Sequence, residues 1–388
     1  MKPDIIMFST ADWDNPFWTN KQHVAITLAK SGYKVLYIES IGLRPPSTSA
    51  TDIKRIIFRI KKFFLSPKRI TSNLWVLSPL VIPLQRYRII RILNKWLLQM
   101  SIRRCQNKLG LSNDWLWTYN PMTIKFLDIP KYQKVIYHCV DDISSQPGMP
   151  TNIILQSEEE LVRKSDVIFC TARFLQEKHL KINTNTYYFG NVADYEHFRE
   201  ARNITLKLPK DMASILEKGP VIGFVGAISS YKVDLKLVRY IAQERPDWQV
   251  VLIGKVGEGE PGEKAEDVVG FSNIHLLGPR PYEQLPAYLK GFNVAILPAQ
   301  LNEYTRSMFP MKFNEYLMAG KDVVAVEIDS LKELTAFYFQ AKDYADFILQ
   351  IEHVLDGNTR LNTEEIENYL LDNTYASRNK KMLNLISK

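Results

Sequence analysis

A chain of 388 residues with 46% hydrophobic and 24% charged residues has room for two ordinary domains and the balance of a folded protein, which excludes disorder along most of its length. Its net charge of +8 is an uneven average, because residues 53–113 hold 14 Lys or Arg and no Asp or Glu, leaving 36 basic against 42 acidic elsewhere, or −6. Such a block predicts one face that meets something anionic, whether a bilayer surface, a lipid phosphate or a nucleic acid.

The opening MKPDIIMFST reads as a short strand with no signal-peptide h-region. The longest apolar run, LWVLSPLVIPL, is broken by two prolines and falls short of the ~20 residues a spanning helix needs, so the expected location is the cytoplasm. After the first strand, DWDNPFWTNKQH is a polar loop whose Trp13, Phe17 and Trp18 suit stacking on a sugar face, with local packing as the plainer alternative. Asn20 and His23, on the helix that follows, are candidate acceptor contacts.

Within the basic block, Ile53, Ile56, Ile57, Ile60, Phe63 and Phe64 share one helical face opposite Lys54, Arg55, Arg59, Lys61 and Lys62. RYRIIRILNKWLLQM repeats the separation, with Arg88, Arg91 and Lys95 opposite Ile89, Leu93, Trp96 and Leu97. Basic amphipathic helices of this kind predict contact between 53–104 and an anionic bilayer, unless the apolar stripes face the domain core. Cys105, Cys139 and Cys170 are odd in number with no CxxC pair, which argues against a disulfide framework and a zinc site.

YKVLYIES, NLWVLSP, DWLWTYNP, KVIYHCVDD and DVIFCTA continue a strand-and-helix alternation. VIYHCVDD ends in adjacent acids, so Asp141 or Asp142 is expected to project from a sheet edge and orient an acceptor hydroxyl, act as its base or stabilise developing positive charge. The rival reading is a helix cap. Adjacent acids are not a D-x-D pair, and no metal or other cofactor is expected.

The second half repeats the alternation through PVIGFVGAISS, WQVVLIG, NIHLLG, NVAILP and DVVAVE, which predicts a parallel sheet with its ligand at the carboxyl ends of the strands. The weakly patterned stretch 199–219 suggests domains at 1–200 and 201–363, with a helix over about 364–388 able to pack back on the first. GFVGAISSYK is a phosphate element, where Gly226 allows close backbone approach and Lys232 brings charge to a diphosphate. GEGEPG has a G-x-G-x-x-G spacing, but its glutamates would repel a pyrophosphate and Pro261 interrupts the turn.

NVAILP then delivers the loop AQLNEYTRS, where Asn302, Thr305 and Arg306 can reach a ligand. Helical spacing of Phe313, Tyr316 and Leu317 behind Pro310, stopped by Gly320, predicts a helix whose opening holds Lys312 and Glu315 three residues apart on one face. A helix start attracts phosphate, Lys312 adds charge, and a carboxylate can accept both hydroxyls of a ribose; a solvated Lys/Glu pair is the alternative.

FNVAILPAQLNEYTRSMFPMKFNEYLMAGKDVVAV resembles the donor-site segment of bacterial GT-B glycosyltransferases of the family-four type, and similar proteins carry equivalents of GFVGAISSYKVDL, LLGPRPYEQLPAYL, YHCVDD and GNVADYEHF. The resemblance runs from about residue 4 to 330, with the basic block poorly matched. It implies two Rossmann-like domains around a central cleft, retaining, metal-independent transfer from a nucleoside-diphosphate sugar, Lys232 and Lys312 on diphosphate, Glu315 on ribose, and the loop Pro279–Tyr282 with Arg280 on the base. Two departures stand out: Ser307 where the family often has a glutamate, and Ala227 where many members have arginine. The resulting expectation is a cytoplasmic enzyme on the inner face of the membrane, moving a sugar, with UDP favoured as carrier, onto a lipid-linked surface glycan and not engaging nucleic acid. The alternatives are a nucleotide-sugar epimerase on the same fold and a binder of nucleic acid or another anionic polymer through 53–113.

Overall fold

In a computed structural model the protein is described over residues 2–15, 18–41, 63, 67–82, 88–146, 148–258, 264–361 and 364–387. The expected helical face at 53–64 lies outside the described residues except for Phe63, as do Phe17 and the core of the GEGEPG stretch. The chain divides into two compact units, Met1–Phe189 with Asn379–Lys388, and Gly190–Arg378.

Unit 1 is built on an eight-stranded sheet, β1 (Ile5–Phe8), β2 (Val35–Ile38), β3 (Lys68–Arg69), β4 (Leu74–Leu77), β5 (Trp115–Thr118), β6 (Lys134–Cys139), β7 (Val167–Cys170) and β8 (Thr186–Tyr188), in the order β3-β4-β2-β1-β5-β6-β7-β8. Every pairing is parallel except the short β3 edge on β4. Parallel strands are covered on both faces, which is why IIMF in β1 and VIFC in β7 read as unbroken apolar runs and are buried throughout. Among the described residues its helices of eight or more residues are α1 (Asn20–Lys30), α2 (Arg88–Leu109), α3 (Thr151–Lys164) and α4 (Arg173–Leu180).

α2 buries Asn94, Leu98, Ile102 and Cys105, whereas Ile89, Ile92, Leu93, Trp96 and Met100 stand exposed. The stripe expected either to meet a membrane or to face the core therefore does not face the core. The helix is held instead by a second, narrower face, and by Asn94, which exchanges hydrogen bonds with the backbone of Ile82 at 2.8 and 2.9 Å.

Unit 2 carries β9 (Val221–Val225), β10 (Gln249–Ile253), β11 (Ile274–Leu276), β12 (Val294–Leu297), β13 (Val323–Val326) and β14 (Phe339–Ala341), all parallel, in the order β11-β10-β9-β12-β13-β14. Its long helices are α5 (Leu235–Glu244), α6 (Met311–Met318), α7 (Tyr344–Leu355) and α8 (Glu364–Asp372); α9 (Tyr375–Ile386) is cut by the division after Arg378. Residues 190–202, which run into the weakly patterned stretch, group with unit 2, and hydrogen bonds tie them into it. Asn191 donates to the Phe309 carbonyl at 2.6 Å, and Arg202 donates to the carbonyls of Leu317 and Met318, each at 2.9 Å.

Candidate functional site

In unit 2 the strand order reverses between β9 and β12, and connections that leave neighbouring strands in opposite directions open a crevice at their carboxyl ends. β9 delivers Gly226 through Lys232 to that point, and β12 delivers residues 298–312. The two loops are fastened together by the Gln300 amide on the Lys232 carbonyl at 3.0 Å, the Asn302 side chain on the Tyr231 carbonyl at 2.8 Å, and the Asp234 amide on the Pro298 carbonyl at 2.8 Å. Behind them β9 and β10 end so close that a Cβ at Gly254 would lie 1.7 Å from the Gly226 carbonyl oxygen. Lys232 lies over the rings of Tyr231 and Tyr304, 5.3 and 5.7 Å from their centroids.

α6 starts at Met311 behind Pro310, so Lys312 occupies the first turn and Glu315 the second. Three ties fix the helix. The Tyr316 hydroxyl accepts the Val225 amide at 2.8 Å, joining α6 to the end of β9; Asn314 donates to the Asn191 carbonyl at 2.6 Å; and Arg202 caps the last carbonyls where Gly320, at φ +71°, ends the turn. Glu315 is only 2% exposed, and Lys312 donates to its carboxylate at 2.5 Å. The sequence-level alternative of a solvated surface pair is thereby corrected: a carboxylate buried at a sheet edge and countered by a cation one turn back is not a surface ornament.

Beside Glu315, His197 stacks on Tyr282, with ring centroids 4.1 Å apart and planes inclined by 12°, while its Nε2 meets the Tyr282 carbonyl at 2.9 Å. Burial holds the His197 pKa below its ordinary value and, with the Glu315 charge second, raises that of Tyr282. His197 escaped the sequence reading because a lone histidine in GNVADYEHF has no spacing partner.

Other candidates in this unit serve the frame. Asn302 and Thr305 form a reciprocal capping box over Glu303–Arg306, and the buried Thr305 hydroxyl also donates to the Gln300 carbonyl at 2.5 Å. Arg280 is turned to Asp211, at 2.9 Å, and to the Tyr288 hydroxyl, at 2.7 Å. Ser307 is fully buried and donates to the Tyr304 carbonyl, closing the position where a family glutamate would stand.

In unit 1 the reversal falls between β1 and β5. Trp13 was expected to offer a sugar platform, but it is 6% exposed, packs edge-on against Tyr37 and Trp18 at 5.1 and 5.4 Å, and gives its amide to Glu39 at 2.8 Å. Its size pulls it into the core. Trp18 remains half-buried against His23, and Asn20 and His23 are both buried on α1. Asp142 takes the role of a cap: its carboxylate accepts the Ser144 amide at 3.1 Å and both serine hydroxyls of Ser144 and Ser145. Asp141 keeps a side chain 27% exposed and lies 3.9 Å from Lys21 Nζ. Lys21, buried between Asn20 and His23 and 6.0 Å from the Tyr119 ring centroid, is the residue the sequence reading passed over.

Beneath these acids, Cys139, Glu158 and His179 bring potential ligand atoms within 4.8 Å of one another. Glu158 is already satisfied there by the Tyr137 hydroxyl at 2.6 Å and Lys178 at 2.9 Å, the balanced carboxylate of a buried ion pair.

Residues 219–357 match the family described as Glycosyl transferases group 1, so the chain carries a glycosyltransferase domain. Over 262 residues it is 26% identical to the provisionally named teichuronic acid biosynthesis glycosyltransferase TuaH of Bacillus subtilis, covering 63% of this chain and 64% of that protein's length. Among solved structures, sucrose-phosphate synthase from Thermosynechococcus elongatus superposes with a TM-score of 0.69 at 14% identity, covering 99% of this chain and 98% of the other. HepE of Anabaena, in complex with UDP-glucose, superposes with 0.66 at 13% identity over 99% of each chain. The resemblance to bacterial GT-B glycosyltransferases of the family-four type, and the expected GT-B fold, are borne out.

Proposed function

We propose that this GT-B chain is a glycosyltransferase that moves a sugar from a nucleoside diphosphate, UDP favoured, onto a lipid-linked surface glycan, without a metal and with retention of configuration. One observation carries the reading: Glu315 is buried one turn behind Lys312 on a helix whose start meets the Lys232 loop at a topological switch point. A diphosphate at the start of α6 draws Lys312 off Glu315 and leaves both carboxylate oxygens to the ribose hydroxyls. Lys232 then adds charge where the leaving group forms. The C1–O bond to phosphate breaks as the acceptor oxygen bonds to C1, and the acceptor proton passes to a departing phosphate oxygen. Asp141, with Lys21 Nζ 3.9 Å away, orients that acceptor hydroxyl.

Support for the donor comes from HepE, solved with UDP and with UDP-glucose, and support for a surface polymer comes from the name of TuaH. The acid-free basic block fits an acceptor held at the inner face of the cell membrane and a cytoplasmic location. No helix among the described residues is long and apolar enough to cross a membrane. Calorimetric titration of UDP, GDP and dTDP into the intact protein and into Glu315→Ala is the test. The expected result is that UDP binds best and that the variant weakens it by ~1.5–3 kcal/mol, the range for hydrogen bonds to a charged group. Absence of nucleotide binding, or equal binding by a folded Glu315→Ala, would overturn the reading.

A further inference from the structure

We infer that α2 is an interfacial helix whose exposed stripe enters the headgroup layer of an anionic bilayer. On a wheel of 100° per residue, Ile89, Ile92, Leu93, Trp96 and Met100 fall within about 100° of one another. They lie opposite the line of Asn94, Leu98 and Cys105 that fastens the helix to unit 1. Their exposures are 78% for Ile89, 61% for Ile92 and 57% for Trp96, over about two turns. Scattered exposed aliphatics need no explanation, but a continuous stripe with a tryptophan at its centre is what an interface selects.

Charge decides the occupant. α2 has no acidic residue, and its exposed cations Arg103, Arg104 and Lys108 lie at the C-terminal end of the stripe, with Arg103 and Arg104 continuing its line. A second copy of α2 would offer these cations no acidic partner, since the helix carries no Asp or Glu. A nucleic acid would satisfy the cations and leave the isoleucines and Trp96 facing phosphate. An anionic lipid surface satisfies both sets at once, with acyl chains for the stripe and headgroup phosphates for the arginines. Residues 53–62 lie outside the described residues, and the inference does not use them. It deepens the membrane location in the reading above. Because vesicle binding is measured without nucleotide, either one can fail alone.

The experiment is flotation of the full chain with vesicles of phosphatidylcholine alone and with about a third phosphatidylglycerol, comparing wild type, I92S/W96S and R103E/R104E. Wild type should float with the anionic vesicles and release as salt rises. Both variants should lose at least tenfold in affinity while still binding UDP as wild type does. Quenching by brominated lipid should be reduced in Trp96→Phe. Three results would overturn the inference: equal flotation of I92S/W96S and wild type, a dimer in sedimentation velocity that I92S/W96S dissociates, or a Trp96 contribution to fluorescence already shielded from acrylamide without vesicles.

Discussion

At Glu315 the chain holds a carboxylate in a place where water cannot solvate it, and Lys312 is what makes that tolerable. Removing the amine in Lys312→Met leaves the charge unpaired, which should lower unfolding stability by about 2–3 kcal/mol. That is less than a fully buried pair loses, because Lys312 is a fifth exposed. Lys312→Met with Glu315→Gln should recover much of the loss, and a double-mutant cycle in urea measures the coupling. Asp141 and Asp142 separate in the same way. Asp141→Asn should reduce kcat with little change in melting temperature, whereas Asp142→Ala should lose ~0.5–2 kcal/mol of stability through its cap. The pair was legible in VIYHCVDD, but the division of labour was not, since only the fold shows that Ser144 and Ser145 turn back onto Asp142. Trp13 failed for a related reason: a loop position does not reveal that Tyr37, 24 residues on, offers a wall to pack against.

The elements of unit 2 were readable because their signals are local. Pro310, the Phe313, Tyr316 and Leu317 spacing, and Gly320 bracket α6, and the unbroken apolar runs mark strands covered on both faces. Contacts that cross between elements leave no such mark, as with Arg280 drawn to Asp211 or His197 stacked on Tyr282. The latter contact has a pH signature. Burial keeps the folded His197 pKa below its ordinary value, so the unfolded chain binds the extra proton first as pH falls, and stability declines below about 6.5. Thermal unfolding between pH 7.5 and 5.5 should show a slope that His197→Gln reduces. α2 teaches the converse lesson: periodicity revealed its apolar stripe, but not that a different face would be the one buried.

On the scale of the whole molecule, two parallel sheets were legible from alternation alone, and the division expected after residue 200 falls after Phe189, because nothing in GNVADYEHF announces that it is bonded onto α6. The last residues return to unit 1. Met382 and Ile386 are fully buried, and Lys134 donates to the Ile386 carbonyl. Deleting residues 379–388 should therefore remove on the order of 5 kcal/mol, comparable to the whole stability of an ordinary domain. The measurement is limited proteolysis, with cleavage expected in Met1–Phe189 before Gly190–Arg378.

That return sets the order in which the protein can be finished. Translation delivers the first 189 residues early, but their unit lacks Met382 and Ile386 until residues 379–388 have also been made. Gly190–Arg378 is continuous, and its two ends meet where Arg378 donates to the Gly190 carbonyl at 3.2 Å. It can therefore close while its neighbour is still waiting. The half that is made first is completed last, so a chain stopped before residue 379 would hold a closed Gly190–Arg378 unit and a Met1–Phe189 unit that never sets.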